Sequence, residues 1–428
     1  IWAKVGMRMP RSRALRTALS SLSACTLRSI MLNVVTGKRR LGNNKGAAGS
    51  ASPAAGVYSL MRLAGKNYTR REVERHVGGL GQAGGTRRVV LAEGRAKGVE
   101  AFQFETGDGL SFTVLPDRGL DIPFCSFKGL NLVYQAPGGI AHPAFHDPAG
   151  FEWLRVFFGG LLTTCGLTYF GDPGPDGGEA LGLHGRYSGL PAVRVRDLSR
   201  WQGEEYLLEV AGTVEEASLF GEKLRLERSV ASRIGARCLT VRDRVENFGR
   251  RPAPFTILYH VNAGFPLLCA ESELECSSLN IEPYGPAAAP RPQEDRRFSA
   301  PDPEFPGMGV DYLHTMAADA DGRAWAAVVN RGLQPQGGPA GLGLYLAFSA
   351  DTLPFLNEWR MLAEGDYVVG VEPANTKVLN RAALRREGRL PMLQPGEARE
   401  MEVELGVLEG PEEIESFAAR CRALRGGR

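Results

Sequence analysis

From about residue 81 to residue 408 the chain alternates apolar and polar positions with a period of two, the pattern of half-buried β-strands. Phe102 and Phe104 alternate with polar neighbours, Gly107-Asp108-Gly109 turns the chain, and Leu110, Phe112 and Val114 alternate again. That run predicts a hairpin with a three-residue loop. Longer runs read Leu224/Leu226/Arg228/Val230 and Leu239/Val241/Asp243/Val245, joined by an Ile234-Gly235-Ala236 turn. The alternation returns at Leu342/Leu344/Leu346/Phe348 and at Met401/Val403/Leu405/Val407. Helical spacing is confined to the two ends. Thr69 and Glu72 form a capping box ahead of Val73, Val77 and Leu80. Pro411 opens a second helix whose face carries Ile414, Phe417, Ala418, Cys421 and Leu424, stopped by Gly426. Strands do not alternate with helices, so the expected class is all-β: large antiparallel sheets packed face to face, with a few short helices. The Pro-rich stretch from Pro286 to Pro306 reads as a long surface loop, and residues 57–428 as a single domain.

Composition changes this picture in one place. The net charge of +3 hides a split: residues 1–56 carry ten Lys and Arg and no Asp or Glu, which leaves about −7 on residues 57–428. The first 56 residues are also rich in Ser, Ala and Gly, so they read as a disordered basic leader. Such a leader is either upstream sequence attached by the choice of start site or an organellar transit peptide, with a nucleic-acid-binding arm as a third reading. The mildly acidic remainder does not suit a nucleic-acid surface. No run of 18 apolar residues predicts a membrane span. Seven Cys without CxxC spacing argue against a disulfide framework and against a zinc site. A cytoplasmic setting is expected, organellar if the leader is a transit peptide. The oligomeric state is not legible.

Six His can be taken one by one. His184 lies between two glycines in Gly182-Leu183-His184-Gly185-Arg186, free to face a cleft or to be an exposed loop residue. His260 interrupts the apolar run Leu258-Tyr259-His260-Val261-Asn262; it is either a hydrogen-bonded core residue or, with Asn262 on the same strand face, half of a polar pair lining a pocket. His142 and His146 have i, i+4 spacing, but Pro143 and Pro148 oppose a helix and no third ligand is evident, so no metal site is expected. His76 and His314 read as structural or exposed. Among carboxylates, Glu372 follows the strand-like run Tyr367–Val369 and precedes Pro373, which places it at a strand end, aimed at a concave face or solvated. Asp117-Arg118-Gly119 with Asp121 is a second polar knot, functional or merely a turn held by an Asp–Arg pair. Trp359 offers either a sugar-stacking face or a core ring. Cys165 has no adjacent base and reads as a small buried hydrophobe. No Gly-x-Ser-x-Gly, phosphate-binding loop or dinucleotide fingerprint occurs, so no cofactor is expected. What remains is two His and one Glu on an all-β scaffold, an acid–base set.

The ordered segments Leu115-Pro116-Asp117-Arg118-Gly119-Leu120-Asp121-Ile122, Phe158–Gly166, Leu183-His184-Gly185-Arg186, Tyr259–Pro266 and Gly370-Val371-Glu372-Pro373 together resemble the aldose 1-epimerase (galactose mutarotase-like) superfamily. The likeness runs over roughly residues 60–408 and is nearest to a branch labelled only as a domain of unknown function. It implies a β-super-sandwich with a sugar cleft and a cofactor-free isomerase that interconverts the α and β anomers of a free sugar. Carried over by motif, Glu372 is the general base, His260 the general acid, and His184 binds or polarises the sugar near its ring oxygen. Arg118, Asp121, Asn262 and Trp359 are candidates for gripping ring hydroxyls. Arg186, with Arg118, would suit a carboxylate or sulfonate. The sequence departs from the better-known members around His260, which has Tyr before it and Val-Asn after it, and in the segment Phe158–Leu167, where an arginine-bearing stretch is replaced. Two other readings use the same cleft: a non-catalytic carbohydrate-binding or sugar-sensing protein, and an isomerase or lyase acting on a modified sugar.

Overall fold

The long alternating runs become strands Lys223–Arg233 and Cys238–Asn247, paired antiparallel around the Ile234–Ala236 turn with Val230 opposite Val241. A computed structural model describes residues 60–285, 288–290 and 296–426; the basic leader of the sequence lies outside them. These two strands lie inside a nine-stranded sheet that also holds Glu205–Ala217, Ala398–Glu409, Leu342–Ser349 and Arg323–Asn330. The first hairpin forms from Glu100–Glu105 and Leu110–Leu115 within a five-stranded sheet. Thr106 N donates to Leu110 O at 3.1 Å and closes the three-residue loop. Gly107 and Gly109 there have φ of 80° and 101°, conformations that favour glycine.

A third sheet carries the site. Its strands are β1 (Thr163–Leu167), β2 (Thr256–Ala263), β3 (Ser278–Tyr284), β4 (Val310–Met316), β5 (Phe355–Leu362) and β6 (Tyr367–Ala374). In space they run β3-β4-β5-β6-β2-β1, antiparallel throughout. One face of this sheet joins the main core: Ile257, Tyr259 and Val261 of β2 pack with Leu226, Val230 and Val241 of the large sheet and Phe104 and Phe112 of the small one. Each such burial contributes about 1.5–3 kcal/mol. Phe104 stacks on Phe112 with ring centroids 4.5 Å apart. The chain is thus an antiparallel β-sandwich, as its pattern predicts.

The polar residues that interrupt the two long runs also face inward. Arg228 forks onto Asp243 (Nε to Oδ1 2.8 Å, Nη2 to Oδ2 2.6 Å), and Tyr259 of β2 donates to the same carboxylate at 2.7 Å. Both charged side chains are fully buried, and the Tyr259 bond, with Arg228 Nη1 donating to Thr164 Oγ1 of β1 at 2.9 Å, joins the two sheets through their core. Removing Arg228 would strand the Asp243 carboxylate, at a cost of about 3–5 kcal/mol.

The capping box at Thr69 opens α1 (Arg70–His76), and Pro411 opens α3 (Pro411–Leu424), which buries Ile414, Phe417, Ala418 and Cys421. A further helix, α2 (Arg381–Arg386), lies inside the strand-rich region and is capped by Asn380, whose Oδ1 accepts from Ala383 N. Six residues are too few to show a helical period, which is why the sequence pattern passes over it. Among the described residues no helix is long and apolar enough to cross a membrane.

Candidate active site

The outer face of the third sheet is built by register. Asn357 on β5 lies opposite Glu372 on β6, and the β6–β2 pairing (Val371 with Val261, Gly370 with Asn262) sets Glu372 across from His260. Glu372 therefore stands in mid-strand between two neighbours, not at the strand end its sequence suggests, because Pro373 continues the pairing opposite Leu356. The row Asn357–Glu372–His260 faces away from the main core. It is walled by a small separate cluster that includes Trp153, Phe157, Cys165 and Leu258.

His260 Nε2 and Glu372 Oε1 are 3.2 Å apart, with 4% and 2% of the side chains exposed. Asn357 Nδ2 donates to Glu372 Oε2 at 2.8 Å and to Asp311 Oδ1 at 2.9 Å, so one amide holds both carboxylates. Asn357 Oδ1 and Glu372 Oε1 are buried without a hydrogen-bond partner, a costly state outside functional sites. Burial drives Glu372 well above the ordinary carboxylate range; the Asn357 hydrogen bond opposes this and nearby Asp311 adds to it. Burial, then the nearness of His184, drives His260 well below the ordinary imidazole range, with Asn262 opposing. Burial also raises Asp311 to about 6. The pair therefore favours its neutral form, with one proton held by Glu372.

His184 meets His260 edge to face with ring centroids 5.9 Å apart, and Trp153 packs on His184 at 4.7 Å. Its Nδ1 accepts from Gly171 N at 3.4 Å, which leaves Nε2 as the protonated nitrogen of the neutral ring. Burial lowers its pKa to about 4, so this neutral donor form holds across ordinary pH. Trp359 lies on β5 opposite Gly370, half-buried, with its ring 5.5 Å from that of His260 and its Nε1 donating to Met308 O. Phe157 closes the other side of His260 at 5.3 Å. Gly370 is what allows the arrangement: a Cβ there would sit 2.1 Å from Glu372 Oε1 and 3.2 Å from His260 Cε1.

The structure thus brings Glu372, His260, His184 and Trp359 together, with Asn262 beneath. Asn262 Nδ2 donates to His260 O and to Gly160 O, supporting the strand. Three expected substrate contacts are elsewhere. Arg118 is 1% exposed, and its guanidinium donates to the carbonyls of Ser188, Ala141 and Val156. Asp121 is fully buried, accepting from Thr164 N and Oγ1 and from Arg228. Both hold the chain, though through backbone carbonyls and Arg228 rather than through the Asp–Arg pair of the turn reading. Arg186 is bound by Glu179 at 2.8 Å and faces Glu216 at 3.6 Å. Of the remaining histidines, His142 caps a short turn by accepting from Ala144 N, and His314 is buried against Glu358. Cys165 is fully buried, as expected. Among the described residues no three metal-ligating side chains converge.

Asn357, Asp311, Gly370, Trp153 and Phe157 escape the sequence reading. Only Gly370 leaves a signal there, a glycine two residues before Glu372 and so on the same face.

The antiparallel super-sandwich is the galactose mutarotase-like class of fold. Residues 96–407 match the family described as a domain of unknown function, DUF4432, and the chain belongs to that family. No curated protein matches it. In structure it is similar to a candidate aldose 1-epimerase from Klebsiella pneumoniae, with TM-score 0.72 and 21% identity over 80% of this chain and 88% of that one. It is also similar to a galactose mutarotase-like protein from Clostridium acetobutylicum, with TM-score 0.50 and 12% identity over 77% of this chain and 99% of that one. At these identities the likeness establishes the fold.

Proposed function

We propose that the protein is a cofactor-independent aldose 1-epimerase, interconverting the α and β anomers of a free sugar. The observation that carries this reading is the 3.2 Å approach of His260 Nε2 to Glu372 Oε1 in a dry, aromatic-walled row with His184 alongside. In a cyclic sugar the anomeric hydroxyl and the ring oxygen are bonded to the same carbon. An acid and a base in mutual contact can therefore address both at once.

The pair holds one proton. A sugar hydroxyl hydrogen-bonding to Glu372 stabilises the carboxylate, and the short contact passes the proton to His260. Glu372 then takes the proton of the anomeric hydroxyl, the C1=O1 bond forms as C1–O5 breaks, and His260 delivers its proton to O5. Rotation about C1–C2 and the reverse transfers give the other anomer. His184, protonated on Nε2, donates a hydrogen bond near the ring oxygen, and Trp359 offers a face to the sugar. Each proton-transfer group contributes about 10²–10⁴-fold.

The reading as an isomerase or lyase on an acidic sugar depended on Arg118 and Arg186, and both are bound within the protein. A sugar-binding protein without turnover has no use for the matched acid and base. Saturation-transfer NMR of anomer exchange over a panel of free aldoses tests the proposal: faster exchange for at least one sugar is expected. Binding with no acceleration for any of them would replace it with the sugar-sensing reading.

A further inference from the structure

His184 lies on a loop, and its geometry is imposed from outside. Its φ of 57° is a left-handed conformation that a residue with a side chain keeps only where its surroundings hold it. The hold comes from two sides: Gly166 N of β1 donates to His184 O at 3.1 Å, and Gly171 accepts from His184 N through its carbonyl at 3.1 Å and donates from its N to His184 Nδ1, so that of the two only Gly171 bonds the ring. Between these two residues runs a small hairpin, Gly174–Asp176 paired with Glu179–Leu181. Gly171 is pressed against the carbonyl of Leu379, which a Cβ would approach to 2.9 Å. The hairpin is gripped from α2: Arg381, 4% exposed, donates from Nε to Asp176 Oδ2 at 2.6 Å and from Nη2 to Glu179 Oε2 at 2.9 Å, spanning both strands, while the half-exposed Arg385 adds a fork on Asp176 alone and Arg186 binds Glu179. Its Nη1 faces Glu222 at 3.9 Å. Arg381 comes nine residues after Glu372, at the end of the segment that leaves β6.

We propose that Arg381 is a positioning residue for the acid–base cluster: its grip on the Asp176–Glu179 hairpin keeps Gly171 against His184 and so holds the His184 ring toward His260. The planar guanidinium suits the task because one fork reaches two carboxylates on opposite strands of the hairpin, which a lysine cannot reproduce. α2 thereby couples the chain carrying Glu372 to the loop carrying His184. The kinetic part of the test rests on the epimerase reading; the spectroscopic part does not.

The test uses the full chain, labelled for long-range imidazole ¹⁵N correlation. In the wild type His184 is expected to show an unprotonated Nδ1, a protonated Nε2 and a titration near 4. Arg381→Gln is expected to give averaged tautomers and an apparent pKa moved toward the free value of about 6.5. Arg381→Lys falls between, and is the variant to read if Arg381→Gln does not fold. Anomer exchange should drop by on the order of 10²-fold in Arg381→Gln, with rescue to within about tenfold by Arg381→Lys. In a His184→Gln background, Arg381→Gln should cost nothing further. An unchanged His184 tautomer and pKa in a folded Arg381 variant, or losses that multiply in the double variant, would overturn the proposal. A wild type that accelerates no sugar but shows the Arg381-dependent His184 spectrum would remove the epimerase reading and leave the clamp standing.

Discussion

The site sheet holds two buried histidine–glutamate pairs on its opposite faces. His260 and Glu372 meet at 3.2 Å on the outer face, and His314 and Glu358 meet at 2.9 Å on the face turned to the core. The residue types match and neither pair is more than 4% exposed; what differs is the company. Arg360 Nε donates to Glu358 Oε1 at 2.8 Å, and Cys276 Sγ lies 4.0 Å from His314 Nδ1. Burial opposes charge on His314, yet its bonds to Cys276 and Glu358 raise it to about 9, which favours the protonated ring beside Glu358. Around His260 and Glu372 stand Trp153, Phe157, Trp359 and a neutral His184, and the neighbouring charge of Asp311 disfavours a second anion. That pair is pushed toward neutrality, with the proton on Glu372. A buried histidine–glutamate contact becomes a proton shuttle or a strut according to whether a fixed cation sits beside it.

Breaking each pair in the same way should give opposite phenotypes. Glu372→Gln keeps the Asn357 contact and removes the carboxyl proton site, so anomer exchange should fall by about 10³-fold with the thermal midpoint unchanged or raised. Glu358→Gln leaves His314 and Arg360 facing a neutral amide in the core, and denaturant unfolding should show a loss of about 3–5 kcal/mol. A Glu372→Gln variant as destabilised as Glu358→Gln would show that both pairs are struts. Gly370→Ala probes the same contrast without touching a titrating atom. A Cβ 2.1 Å from Glu372 Oε1 must turn the carboxylate away from His260, and a drop of about 10²-fold in exchange in a folded protein is expected. Full activity in that variant would mean that Glu372 works from another position.

The fold was legible because period-two alternation reports burial strand by strand, and the hairpin at Gly107–Gly109 and the turn at Ile234–Ala236 fall where the pattern puts them. Individual chemistry-bearing residues were legible by isolation: His260 and Glu372 interrupt apolar strands, and His184 lies between glycines. Their support was not. Asn357 and Asp311 reach Glu372 only through the register of β4, β5 and β6, which depends on pairings between segments far apart in sequence. Arg118 and Asp121 misled for a related reason. A polar knot beside a conspicuous motif looks functional until its partners, here the carbonyls of Ala141 and Val156 and the Arg228 side chain, are known. The two polar breaks at Arg228 and Asp243 carried the same lesson in reverse, since residues opposite each other in adjacent strands were already a pair in the alternating pattern.

The pairs should also separate by pH. His314 has a folded pKa raised from 6.5 to about 9, so its contribution is complete below about pH 6.5 and is lost as pH rises toward 9. The slope is about 1.4 kcal/mol per pH unit. His314→Gln should flatten unfolding free energy over that window. Glu372, also raised, begins to weaken the fold at lower pH, from about 4.5 upward, because the unfolded carboxyl ionises there while the buried one stays protonated. His260 acts in the opposite sense: its depressed pKa gives stability that is present above about 6.5 and lost as pH falls. Denaturant midpoints of wild type, His314→Gln and Glu372→Gln across pH 4 to 9 would resolve the windows. An unchanged slope above pH 6.5 in His314→Gln would remove the charged assignment from the inner pair.

The smallest expected effect concerns the one large ring that the inner pair lacks. Trp359 is half-buried, is anchored through Nε1 to Met308 O, and turns an edge toward His260 across the gap that Gly370 leaves. If it serves as a face for the sugar, Trp359→Ala should raise KM by about three- to tenfold, the equivalent of 0.5–1.5 kcal/mol of aromatic contact, with kcat little changed. Trp359→Phe keeps a ring while losing the Met308 bond and should stay within about twofold. A fall in kcat with KM unaltered would assign the ring a different task, holding His260 against Glu372. The outer pair would then be a shuttle whose alignment depends on aromatic packing, as that of the inner pair depends on Arg360.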